Sequence, residues 1–144
     1  MKNRPTEKLL EMLTKIKDEK ELKRYIKTSS SEKESLKLSK YILEVCNKKD
    51  IKKSEIIRNA DIYRTYGYEI LNGSKLPSRD KLLRICIGNK FSLKETNRCL
   101  TLAKHGILYA KNPRDSIIIF AINNKLSLIE TDILLDDHGL KVLD

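Results

Sequence analysis

The feature that most constrains this chain is an internal repeat. Residues 79–100 read RDKLLRICIGNKFSLKETNRCL and residues 114–135 read RDSIIIFAINNKLSLIETDILL, identical at ten of 22 positions at an offset of 35. The shared residues are Arg79/Arg114, Asp80/Asp115, Ile87/Ile122, Asn89/Asn124, Lys90/Lys125, Ser92/Ser127, Leu93/Leu128, Glu95/Glu130, Thr96/Thr131 and Leu100/Leu135. Each copy reads as a helix, a short Asn-Lys turn and a second helix. That second helix opens on a capping box, Ser92 with Glu95 or Ser127 with Glu130. Asp80 and Asp115 stand at the start of each first helix, where a carboxylate suits the positive end of the dipole. Ten identities favour duplication over two hairpins that converged on the same caps. The copies differ on one face: Arg84, Lys94 and Arg98 become Ile119, Ile129 and Ile133. An apolar face of this kind must be covered by the chain's own helices or by another chain.

The rest of the chain reads the same way. Apolar spacing predicts helices over 6–16 and 18–27, from Ser31 to about Lys48, and near 53–60, 64–72, 79–88, 93–104, 114–124 and 128–137. Leu9, Leu10, Leu13 and Ile16 share the inner face of the first, and Leu22, Tyr25 and Ile26 that of the second. Ser31 with Glu34 forms a further capping box. Gly73, Pro77, Gly106, Pro113 and Gly139 punctuate the series. No strand pattern is convincing. With 5 Gly and 3 Pro in 144 residues, collagen-like and low-complexity classes are excluded, and 40% apolar residues are too many for a disordered tail.

The formal net charge is +10, and it is unevenly spread. Residues 1–58 carry 17 basic and 10 acidic side chains, residues 59–106 carry 9 and 4, and residues 107–144 carry 4 and 6. A polyanion is therefore expected to meet the first two thirds, and something else the last. No apolar run approaches the roughly 18 residues that span a bilayer, and no signal-peptide core follows the first Met, so a cytoplasmic location is expected. The Lys-rich N-terminal helices lack Trp and Phe for an apolar side and do not suit a membrane surface. Cys46, Cys86 and Cys99 are too widely spaced for a zinc or redox pair and read as small core residues.

Chemistry finds no foothold. His105 and His138 each stand beside a helix-ending Gly, where a cation suits the dipole, and neither has a nucleophile pattern around it. No phosphate-cradling loop and no metal spacing occur, so no enzyme activity, cofactor, metal or small-molecule ligand is expected. Asp132, Asp136 and Asp137 read as a solvated acidic face. Arg114 is expected to be structural, paired with Glu130 or capping a neighbouring helix.

Residues 51–78, IKKSEIIRNADIYRTYGYEILNGSKLPS, read as a helix-turn-helix. Ile56, Ile57 and Ala60 form the buried side of its first helix, Ile62 plugs the gap after Asp61, and Ile70 and Leu71 point inward from its second. Arg64, Thr65, Tyr68 and Glu69 fall at the start and along the outer side of that second helix. In this geometry the second helix enters the major groove and its N-terminal residues reach base edges. Of the three tyrosines, Tyr63, Tyr66 and Tyr68, Tyr68 is expected to be the most outward.

This segment resembles, without a gap, the helix-turn-helix of the XRE, or lambda-repressor-like, family. The apolar pattern, Ala60, Ile70, Asn72-Gly73 and Pro77-Ser78 carry the resemblance. A narrower resemblance, to short XRE-type regulators of Firmicutes, covers nearly the whole chain. It rests on the N-terminal helix pair, Tyr66–Ile70, Gly73–Asp80, Leu108-Tyr109, Arg114–Ile118 and Leu126–Thr131. By position, the resemblance implies base reading by Arg64 and Thr65, with Tyr68 and Glu69 secondary. It implies backbone contacts by Lys53, Asn72, Lys75 and Arg79, and Ser54 with the first helix's N-terminus offers N–H groups to phosphate. Three residues depart from the pattern: Asp61 at the turn Gly, Tyr63 at the usual Ser or Thr cap, and Gly67 at an apolar position. Asp tolerates a left-handed backbone, so the turn is expected to survive. Gly67 either allows close packing or softens the helix.

The expectation is an all-α chain: an N-terminal helical extension (1–30), a five-helix lambda-repressor-like domain (31–106) and a C-terminal helical hairpin (107–144). Its expected function is sequence-specific binding of double-stranded DNA as a transcriptional regulator. The resemblance implies a homodimer, with the acidic, Ile-rich C-terminal hairpin as its surface. The alternative is a non-enzymatic protein-binding adaptor or accessory factor of a defence or mobile-element system.

Overall fold

The computed structural model of the chain describes residues 10, 11, 13–29 and 32–144. Among them every regular element is a helix. The chain divides into two compact units, residues 1–33 and 34–144. In the first, α1 spans Glu19–Ser29 and opens on Asp18, whose Oδ1 accepts from the Glu21 amide at 2.8 Å. Leu10, Leu13 and Leu22 are exposed. Leu9, the Ser31 capping box, the start of the 6–16 helix and the side chains of Tyr25 and Ile26 lie outside what is described.

The second unit holds α2 (Glu34–Lys48), α3 (Lys53–Ala60), α4 (Arg64–Leu71), α5 (Arg79–Gly88), α6 (Leu93–Leu102), α7 (Pro113–Asn123) and α8 (Leu128–Asp137). Three of its connections share one geometry. Asp50, Lys90 and Lys125 turn the chain with φ of 59°, 60° and 53°. The next amide then closes on the carbonyl five residues back: Ile51 on Cys46, Phe91 on Cys86 and Leu126 on Ala121, each at 2.9 Å. The two-copy repeat is thus joined by a third hairpin of the same form, α2/α3, which sequence identity does not reveal. The capping boxes of α6 and α8 form as expected: Ser92 and Ser127 accept from the Glu95 and Glu130 amides, and the two carboxylates return the bond.

The two copies pack reciprocally, α5 against α8 and α6 against α7. Arg79 forks onto both Asp115 oxygens at 3.0 Å, and Arg114 onto those of Asp80 at 3.0 and 2.8 Å. Each guanidinium also donates to two carbonyls of the following loop, Gly106 and Ile107 for Arg79, Lys141 and Val142 for Arg114. The remaining capacity of the carboxylates takes the Tyr109 amide at Asp115 and the Asp144 amide at Asp80. The arrangement is that of an isologous dimer, in which one patch meets its own counterpart, built inside one chain. Arg114 is structural as expected, but its partner is Asp80; Glu130 is occupied as a cap. Asp132 also differs from a solvated residue, because its Oδ1 accepts from the Leu143 amide as Asn97 does from Leu108.

One core runs through the second unit. Leu38 and Ile42 of α2, Ile56 and Ala60 of α3, Ile70 of α4 and Leu82 and Leu83 of α5 are buried together, with Leu100, Ile118 and Leu135 from the later helices. All three cysteines are buried. Burial pushes the Cys46 thiol up to about 12 and Cys86 well above its usual value. Both therefore stay protonated and act as small apolar residues. Arg84 departs from the surface role given to it with Lys94 and Arg98. Its side chain is only 11% exposed. It donates to the carbonyls of Ala60 (3.0 Å), Asp61 (3.2 Å) and Leu143 (3.2 Å), pinning the end of α3 to α5.

Candidate nucleic-acid interface

The corner formed by α3 and α4 is set by its turn and by two glycines. Asp61 adopts φ 51° and ψ 54°, the left-handed conformation that a Gly would supply, and its amide closes on the Arg58 carbonyl at 3.0 Å. Ile62 is half-buried against the core. At Gly67 a Cβ would stand 2.7 Å from Ile57 Cγ1 and 2.8 Å from Cγ2. The missing side chain is therefore what lets α4 sit close on α3. At Gly88 a Cβ would stand 2.2 Å from the Asn59 carbonyl oxygen, so α5 touches the backbone of α3 directly. Asn89 completes this joint: its Nδ2 donates to the Ile56 and Ile85 carbonyls and its Oδ1 accepts from Asn59. The inward residues Ile56, Ile57, Ala60, Ile70 and Leu71 are buried as expected.

The outward residues divide into three groups. Arg64 and Thr65 lie exposed in the first turn of α4. The Arg64 guanidinium lies 5.7 Å from the Tyr68 ring centroid, a cation–π distance that holds the side chain over its own helix. Tyr68 is half-buried and lines a groove of about 250 Å³ with Ser54, Ile57, Arg58, Ile62 and Arg64. At the other end of α4, Lys75 stands 5.6 Å from the Tyr66 ring and 3.7 Å from Glu69. Glu69 is thus partly neutralised by its neighbour. Lys53 and Ser54 are exposed at the start of α3, where Glu55 caps the Lys52 amide at 3.0 Å. Asn72 ends α4, its Oδ1 accepting from the Ser74 amide and hydroxyl at 3.0 and 2.6 Å, which braces the turn at Gly73.

Two expectations are corrected. Arg79 was expected on the DNA backbone, but its guanidinium is taken up by Asp115, Gly106 and Ile107. It joins the two repeat copies and leaves the phosphate set. Tyr63, not Tyr68, is the most outward tyrosine, 88% exposed. It is the N-cap residue of α4 and makes no side-chain cap, so its ring stands off the helical rows. Two residues join the candidate surface that sequence reasoning passed over. Tyr63 is one, and its signal was an aromatic where a helix needs a polar cap. Arg58 is the other; it lies four residues after Ser54, on the same outer row of α3.

Comparison with protein-family models, with curated proteins and with solved structures gives no match for this chain.

Proposed function

We propose that this chain is a non-enzymatic, sequence-specific binder of double-stranded DNA that acts as a transcriptional regulator, with its α2–α6 helices forming a lambda-repressor-like domain. The observation that carries the reading is the exposed first turn of α4, Arg64 and Thr65, on the outer side of a two-helix corner. Lys53, Ser54 and Arg58 of α3 flank it. Arg pairs bidentately with guanine and Thr meets either a polar edge or a thymine methyl, while Lys53 and Lys75 neutralise phosphates. Tyr63 adds a large exposed ring beside the reading turn. No cofactor enters this reading.

The test is affinity selection on fragmented genomic DNA, with the Arg64→Ala/Thr65→Ala double variant run in parallel. The wild-type chain should enrich a shared motif and lose affinity steeply as salt rises, and the variant should lose the motif while keeping weak binding. The exposed apolar residues of α7 and α8 favour a second reading, a protein-binding adaptor. Equal, weak, motif-free binding by both proteins would move the assignment there.

A further inference from the structure

The outer face of the second repeat copy has no covering element among the described residues. In the first copy, α3 lies over α5 and Ile85 is 1% exposed; its counterpart on α7, Phe120, is 53% exposed. On α8, Ile129 is 74% and Ile133 55% exposed, at positions where α6 carries the exposed Lys94 and Arg98. Three large apolar side chains thus stand in water on a hairpin whose twin solves the same positions with charge or with a neighbouring helix.

The charges along α8 say what covers this face. Ile129 and Ile133 are one turn apart on a single row, and Asp137 continues that row at its C-terminal end. Lys125 is exposed just before the helix begins. Asp136 and Asp137 fill the last turn, which holds no basic residue, so both carboxylates oppose the negative end of their own helix dipole. Read along the helix, the order is basic, apolar, apolar, acidic. Reversed, it is its own complement.

We infer that this face joins a second copy of the chain, α8 against α8 in antiparallel array about a two-fold axis. That operation sets Ile129 of one copy against Ile133 of the other. It brings Asp136 and Asp137 to the N-terminal end of the opposite α8, where both the dipole and Lys125 are positive. The same chain already uses this logic once, in the reciprocal packing of its two repeat copies. The inference does not rest on the DNA reading, because the association is self-contained.

The experiment is sedimentation equilibrium of the full chain without DNA, over a concentration series. The wild-type chain should dimerise. Ile129→Lys/Ile133→Arg installs the residues that α6 carries at the same exposed positions, so the fold is kept and is checked by an unchanged melting temperature. Its dimer dissociation constant should rise at least about a hundredfold. Lys125→Glu and Asp137→Lys should each weaken the dimer, and the two together should restore it. A wild-type chain that stays monomeric throughout, a double-Ile variant that still dimerises, or a charge swap that restores nothing would each overturn the inference. DNA binding that fails in its own assay leaves these outcomes untouched.

Discussion

The two copies of the repeat have the same inside and different outsides. Residues 79–109 and 114–144 share their caps, their left-handed turn and their Arg–Asp clamps. Yet the first copy presents Arg84, Gly88 and Asn89 to α3, while the second presents Ile119, Asn123 and Asn124 at the corresponding positions. Local signals therefore decide that a hairpin forms, and single residues on its outer stripe decide what docks there. Asn89 and Asn124 make the point with one residue type. Asn89 is buried and bonds to Ile56 of α3, whereas Asn124 is exposed and returns only to the Phe120 carbonyl of its own helix.

The sharpest way to break this comparison is to exchange the residues at its tightest point. Gly88→Asn puts the second copy's residue into the first, where even a Cβ meets the Asn59 carbonyl at 2.2 Å. The neighbour is backbone and cannot rotate away, so α3 must lift from α5. A loss of about 3 kcal/mol is expected from overpacking of this kind, together with loss of DNA binding. The mirror exchange, Asn123→Gly on exposed α7, should cost no more than the helix-propensity difference of roughly 0.5 kcal/mol. Urea unfolding of the pair measures both. Similar losses in the two variants would mean that α3 is not held by this close approach.

Much of this comparison was legible in the sequence, and the reason for the remainder is physical. The helix-turn-helix could be read because Ile56, Ile57, Ala60, Ile70 and Leu71 repeat at helical spacing, a signal confined to neighbours. The caps of α6 and α8 could be read because Ser and Glu three residues apart bond to each other. Arg79 and Arg84 could not be placed, because their partners lie far along the chain: Asp115 is 36 residues from Arg79 and Leu143 is 59 from Arg84. A sequence shows a charge but not what the fold brings to it. Tyr63 was misjudged for a related reason. It precedes α4, so the helical rows that sorted Tyr66 and Tyr68 do not apply to it.

A smaller effect comes from the clamps that hold the two copies together. At Asp115 burial works to raise the carboxyl, but the hydrogen bonds from Arg79 and the Tyr109 amide, with the Arg79 charge, outweigh it and hold the group below the usual carboxylate value. At Asp80 burial is likewise outweighed, by Arg114 and the Asp144 amide. A carboxyl that binds its proton less tightly when folded stabilises the fold above its unfolded value, near 3.9, and loses that contribution as the pH falls further. Stability should therefore hold from neutral pH to about 4 and then decline. The Asp80→Asn/Asp115→Asn variant should be less stable at neutral pH and flatter below it. Thermal melts across this range read both slopes, and an equally steep acid decline in the variant would place the acid sensitivity elsewhere.

The smallest effect probes what the copies have in common. Ser92 and Ser127 make the same two-way bond with Glu95 and Glu130, at donor–acceptor distances between 2.9 and 3.1 Å. Thr96 and Thr131 back each with a hydroxyl bond to the Ser carbonyl, at 2.8 and 2.7 Å. If local signals alone form each hairpin, Ser92→Ala and Ser127→Ala should cost the same, about 1 kcal/mol each, as an N-cap loss does. The surroundings differ, since α2 packs on α6 and no described helix covers the outer face of α8. Equal losses would show that the cap energy belongs to the hairpin itself. A Ser92 variant that loses markedly more would show instead that α2 depends on the cap's geometry, and that the first copy is stabilised by its docking as much as by its own sequence.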